Sequence, residues 1–142
     1  MEHIDLDSLR QMLGPMRQDQ ESVLFMYGTC EIPAGNEGGC SLPVSVSNEP
    51  ACSRNLSMYG GPLSPKPFLT RVRGTTAAFF EGGGRLEIQT GATTVVIFAF
   101  SKRKALSVAQ NLRGLNVPVS AGDPLPPPAK GAVEGTVPCP KR

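Results

Sequence analysis

Hydrophobic and polar positions follow several different rhythms along this chain, and each rhythm predicts an element. Residues 5 to 13 (Asp-Leu-Asp-Ser-Leu-Arg-Gln-Met-Leu) place Leu6, Leu9, Met12 and Leu13 on one helical face behind an aspartate cap, and Gly14-Pro15 ends the run. A short amphipathic helix is expected there. From Glu21 the pattern tightens to Ser-Val-Leu-Phe-Met-Tyr-Gly, a dense apolar run of strand formers bounded by glycine that reads as a buried strand. Leu42, Val44 and Val46 alternate with Pro43 and Ser45, as an edge or half-buried strand would. Asn48 to Lys66 carries Cys52 and several glycines and prolines and is expected to be irregular.

Three strands then follow closely at Phe68 to Arg73, Thr76 to Glu81 and Arg85 to Thr90, with Gly74 and Gly82-Gly83-Gly84 at the turns. In the third, Leu86 and Ile88 alternate with Arg85, Glu87 and Gln89, which predicts one dry face and one wet face. Gly91-Ala92 turns into Thr93 to Phe100, the most apolar strand and the expected centre of the sheet. Ser101 can cap a helix whose Ala105, Val108, Ala109 and Leu112 fall at i, i+3, i+4 and i+7 before Gly114, and this helix should pack on the dry face. Beyond Asn116 the chain has no periodicity and few apolar residues. The expected fold class is α+β: a small antiparallel sheet of about five strands, a C-terminal helix packed on one face and a short N-terminal helix. The expected organisation is an N-terminal helical segment over 1–19, an α+β domain over 20–116 and a disordered Pro/Gly-rich tail over 117–142.

Composition adds limits. At 142 residues and 39% hydrophobic, the chain suffices for one modest core. Its 14 basic and 12 acidic side chains are scattered and leave a net charge of +2, so no nucleic-acid-sized basic face is implied. No run of eighteen apolar residues exists, and the longest candidate, Thr93 to Phe100, is of strand length, so no membrane span is expected. The start, Met-Glu-His-Ile-Asp-Leu-Asp, lacks the basic and apolar regions of a signal peptide, which fits a cytoplasmic protein or one whose export signal has been removed.

Cys30, Cys40, Cys52 and Cys139 allow three disulfide connectivities. Their spacing lacks the paired knuckles of structural zinc sites, and the single histidine, His3, lies at the terminus, so no metal and no cofactor is expected. A Cys30–Cys40 bridge would close a loop poor in apolar residues and contribute roughly 3 kcal/mol, which favours an oxidising compartment. Cys139 can reach Cys52 only if the tail folds back.

No catalytic residue is expected. A serine, histidine and acid mechanism would need His3 as its base. Glu81 and Glu87 flank a hairpin and are expected on a solvated strand face, and Glu31 beside Cys30 would disfavour a thiolate. Gly82-Gly83-Gly84 follows a strand and leads into another, with no helix N-terminus expected to hold a phosphate, and reads as a hairpin turn. Lys102-Arg103-Lys104 is sharper: three cations in the first turn of a helix oppose its dipole, at roughly 0.3 to 1 kcal/mol each, and an anion or acidic partner docking there would offset the cost.

Val72-Arg-Gly-Thr-Thr-Ala-Ala-Phe-Phe-Glu81, Gly84-Arg-Leu-Glu-Ile88, Thr94-Val-Val-Ile-Phe98 and Ala105-Leu-Ser-Val-Ala-Gln-Asn-Leu112 together resemble a bacterial extracytoplasmic domain of unknown function found in lipoproteins and in the outer portions of anti-sigma factors. Phe25-Met-Tyr-Gly-Thr-Cys30 and Pro50-Ala-Cys52 are similar to stretches of exported actinobacterial proteins. The resemblance covers about half the chain and rests on small and aliphatic residues. It implies an envelope or secreted location and a binding or structural role, with no catalytic residues to carry over. The leading expectation is therefore a non-enzymatic extracytoplasmic domain that binds, senses or supports an unidentified protein or small ligand through the wet face or the Cys52 to Lys66 segment. One alternative is a cytoplasmic interaction module using the N-terminal helix and the prolines of 124–128. The other is a small thiol redox protein using Cys30 and Cys40.

Overall fold

The computed structural model describes residues 23–27, 44–59, 61, 66–114 and 118–139. The N-terminal helix expected over 5–13 and the Cys30 to Cys40 loop lie outside these residues. Strands β1 (Val23–Tyr27), β2 (Val44–Pro50), β3 (Phe68–Val72), β4 (Thr75–Phe80), β5 (Arg85–Thr90) and β6 (Thr93–Ala99) form one antiparallel sheet in the order β1-β2-β6-β5-β4-β3. Helix α1 (Lys102–Asn111) follows at the C-terminal end of the meander. The α+β class, the C-terminal helix against one face and the central place of β6 are as the pattern predicts. Two placements differ. β2 is half-buried, as one of its two readings expects, but it is flanked by β1 and β6 and is not an edge strand, because its prolines stay at or beyond its ends, Pro43 before it and Pro50 as its last residue. β1 takes the edge.

Hairpin turns set the register. β3 and β4 join through Arg73-Gly74 with both residues at positive φ, 49° and 83°, the mirror-image turn whose twist suits two strands. β5 and β6 join through Gly91-Ala92, and Gly91 takes φ 53°. Because directly paired residues point to the same side, Val46, Ile97, Leu86, Phe79 and Phe68 lie in one row across the sheet. That face receives α1, whose Ala105 and Ala109 are fully buried against Val44, Val46, Val72, Leu86, Ile88 and Ile97. Two alanines on the contact face let the helix approach the sheet closely.

The opposite face does not meet the expectation of a wet surface. Glu87, Gln89 and Thr94 are completely buried there, with Ala78, Phe80 and Val96. Two segments without regular periodicity cover them. The first, Ala51 to Tyr59, includes a 3-10 turn at Leu56–Met58 and packs Leu56 and Tyr59 on Ala78 and Phe80. The second is the stretch expected to be a disordered tail. It is seated on the domain instead, starting at the helix side, where Leu125 packs against the α1 core and its N–H donates to Arg73 O at 2.9 Å, and continuing with Gly91 N–H to Pro127 O at 3.0 Å and Ala129 N–H to Gly91 O at 2.7 Å. Ala132 is fully buried, and Val133 packs with Leu56 and Phe80. A Cys52–Cys139 disulfide ties the two covering segments together. The absence of periodicity was a poor guide here, since extended segments can be held by isolated hydrogen bonds and a covalent tie without an amphipathic face.

Candidate functional site

Two clusters of chemistry-bearing side chains stand out. The first is the buried polar centre beneath Ala51 to Tyr59. Arg54 reaches across to β2 and β5, with Nη1 at 3.0 Å from Glu49 Oε1 and Nε and Nη2 both at 3.0 Å from Glu87 Oε1. Tyr59 donates its hydroxyl to the same Glu87 oxygen at 3.0 Å, and Arg85 Nε lies 3.4 Å from it. Burial works to lower the Arg54 pKa, but the hydrogen bonds and charges of Glu87 and then Glu49 outweigh it, so its pKa is raised and the guanidinium stays protonated. The Tyr59 pKa is raised above its ordinary 10.0, first by burial and then by the negative charge and hydrogen bond of Glu87. Arg85 lies over the Phe80 ring at 4.3 Å and the Tyr59 ring at 5.5 Å. Glu87, expected on a solvated face, is 0% exposed and enclosed by these groups. Its geometry is that of an internal ion cluster fastening the covering segment to the sheet.

The second cluster is open to solvent, at the end of the sheet where β3 begins, β4 ends and α1 starts. A cleft of about 250 Å³ is lined there by Lys66, Phe68, Phe79, Phe80, Gly82, Gly83 and Lys102. Ser101 caps α1 by accepting from the Lys104 N–H at 3.2 Å, and Lys102, Arg103 and Lys104, the predicted partner patch, are all exposed on the first turn. The structure divides the three. The Lys102 ammonium lies 5.0 Å from the Phe68 ring centre and 4.8 Å from that of Phe79, within the cleft, whereas Arg103 and Lys104 are not among the lining residues. No acidic residue occupies the first turn.

The glycine turn also differs from its sequence reading. Although Gly82 to Gly84 joins two strands, it lies against the start of α1 from later in the chain, and a Cβ on Gly83 would come within 2.9 Å of Lys102 Cβ. Gly83 is thus a close-approach glycine at φ 99°. Phe68 and Leu69 are each 64% exposed at the cleft and on β3, and Phe100 is 72% exposed just before α1. Lys66, Phe68 and Gly83 escaped the sequence reading because their nearness to Lys102 depends on pairing across the meander, which no local spacing encodes.

Of the four cysteines, the structure pairs Cys52 with Cys139, and Cys30 and Cys40 fall outside the described residues. No group of three or more metal-ligating side chains occurs among the described residues, and no described helix is long and apolar enough to cross a membrane. Comparison with known proteins finds no match among family models, curated proteins or solved structures.

Proposed function

We propose that this chain is a non-enzymatic extracytoplasmic domain that recognises a protein partner through the cationic and aromatic end of its sheet. The observation that carries this reading is the Cys52–Cys139 disulfide, which joins two covering segments 87 residues apart. Disulfides with a structural role persist in oxidising compartments, and closing a loop of this length contributes about 4 to 5 kcal/mol in the chain-entropy description. The resemblance to extracytoplasmic domains of lipoproteins and anti-sigma factors supports the same location. Recognition is supported by the exposed Lys102 over Phe68, with Arg103 and Lys104 exposed on the same first turn and Leu69 exposed on the other face of β3, a mixture of cations and aromatic or aliphatic surface suited to a protein contact.

The cytoplasmic alternative needs the N-terminal helix, which lies outside the described residues, and a free proline run for docking. The carbonyls of Pro126 and Pro127 instead accept from Thr90 Oγ1 at 2.8 Å and Gly91 N–H at 3.0 Å, which weakens that reading. Location is tested by peptide mapping of protein from its native host, with thiols alkylated before lysis and digestion under non-reducing conditions. The expected result is a linked Cys52–Cys139 peptide pair, and alkylation of both cysteines would overturn the extracytoplasmic assignment.

A further inference from the structure

We infer that the outer edge of β3 accepts an acidic, extended peptide segment of another protein as a seventh strand. The inference rests on the binding-domain reading above and names the chemistry of the partner. β3 ends the strand order, and among the described residues no backbone hydrogen bond engages its outer side. A two-residue hairpin makes the flanking pair, Val72 and Thr75, a hydrogen-bonded pair, and antiparallel alternation then directs Thr70 and Phe68 toward β4. The N–H and C=O groups of Leu69 and Arg71 are left facing outward, as a template for strand addition.

The side chains indicate what the template would accept. Natural edge strands are commonly blunted by charge or proline; here Pro67 stands before the strand and the charge within it is Arg71 alone, and Phe68 and Leu69 are each 64% exposed, one on each face. The flanking charge is positive: Lys66 precedes the strand, Arg71 lies within it, and Lys102 covers Phe68. Among the described residues neither Lys66 nor Lys102 has an ion-pair partner, while Glu49 and Glu87 are committed to Arg54 and Arg85 beneath the opposite face. An incoming strand with Asp or Glu beside Phe68 places its carboxylate at the cleft between Lys66 and Lys102, and an apolar neighbour on the other face meets Leu69. A basic strand would meet three cations. The chain's modest net charge of +2 makes this local field selective for a short acidic segment rather than for a polyanion.

The test is selection from a random ten-residue peptide display library on the oxidised full chain, followed by affinity measurement and amide chemical-shift mapping with the enriched peptide. We expect enriched sequences that alternate apolar residues with Asp or Glu and shift the Leu69 and Arg71 amides. Lys102→Glu should weaken binding roughly five- to tenfold, as expected for reversing a rim charge. Leu69→Pro removes an outward N–H, a change an edge strand tolerates, and should abolish binding while the Cys52–Cys139 link and the circular dichroism spectrum persist. The inference is overturned by absence of enrichment, by a basic consensus, by shifts centred away from β3, by self-association of the chain at this edge, or by affinity unchanged in Lys102→Glu. The selection is made in vitro on oxidised protein, so its failure is distinct from a failure of the cellular thiol mapping.

Discussion

Arg73 occupies the left-handed region at φ 49° and is only 9% exposed, an unfavourable setting for a long cationic side chain. Its guanidinium compensates by donating to four backbone carbonyls, those of Ala109, Leu112, Ser120 and Asp123, and so joins the end of α1 to the segment that follows it. Two of those acceptors belong to the final turn region of α1, where a cation is favourable against the helix dipole. Replacing Arg73 with Ala removes four hydrogen bonds at once, two of them to carbonyls that keep a second donor, and urea unfolding should register a loss of about 2 to 4 kcal/mol. Arg73→Gly relaxes φ but removes the same bonds, so it should remain well below the wild type. Glu87 is the counterpart, a buried anion enclosed by Arg54, Arg85 and the Tyr59 hydroxyl. The raised Tyr59 pKa means that the folded protein holds this proton more tightly than the unfolded chain. The resulting stability is fully present below the ordinary tyrosine value of 10.0 and is lost as pH rises through it toward the higher folded value. The urea midpoint of the wild type should therefore fall more steeply above pH 10 than that of Tyr59→Phe, and parallel curves would remove Tyr59 as the cause.

At the scale of elements, the regular parts were legible for a simple reason: each carries its own periodicity. Leu86 and Ile88 alternate in β5, and Ala105 and Ala109 repeat at helical spacing in α1, so these elements declare a buried face without tertiary information. The same alternation misled where Glu87 and Gln89 were concerned, because polar residues facing away from the helix signal water only if nothing else covers them. The cover comes from Ala51 to Tyr59, a segment whose apolar anchors, Leu56 and Tyr59, are too few and too irregularly placed to form a recognisable stripe. The candidate site was half legible. Lys102, Arg103 and Lys104 announced themselves through the mismatch with the helix dipole, but the aromatic floor beneath Lys102 and the glycine turn beside it come from strands 19 to 34 residues earlier in the chain. Gly83 is the element-level hinge of that arrangement, since its φ of 99° and its approach to Lys102 both exclude a side chain. Gly83→Ala should cost about 1 to 3 kcal/mol in thermal or urea unfolding and shift the backbone amide resonances of the first turn of α1. An unchanged first turn would show that the close packing is not required.

At the largest scale, the described residues form a sheet with two unlike covers. α1 covers one face by conventional apolar packing. The other face is covered by two irregular segments that rely on the Arg54–Glu87 ion pair, Asn55 Nδ2 donating to Ala51 O at 3.0 Å, scattered backbone hydrogen bonds and the Cys52–Cys139 bond. Gly135 adds to the fit, because a Cβ there would meet the Asn55 carboxamide at 2.6 to 2.7 Å. Such a cover depends on the Cys52–Cys139 bond, and through it on redox conditions, in a way that a packed helix does not. The most direct measurement is hydrogen exchange at the amides of Gly91, Ala129, Ala132 and Thr136 in the oxidised full chain, compared with the reduced chain. These amides donate to Pro127, Gly91, Ala129 and Gly131 carbonyls. Strong protection in the oxidised protein, falling on reduction while the β5 and β6 amides stay protected, is the predicted result; exchange at free-coil rates from Ala129 to Thr136 with the disulfide intact would contradict it.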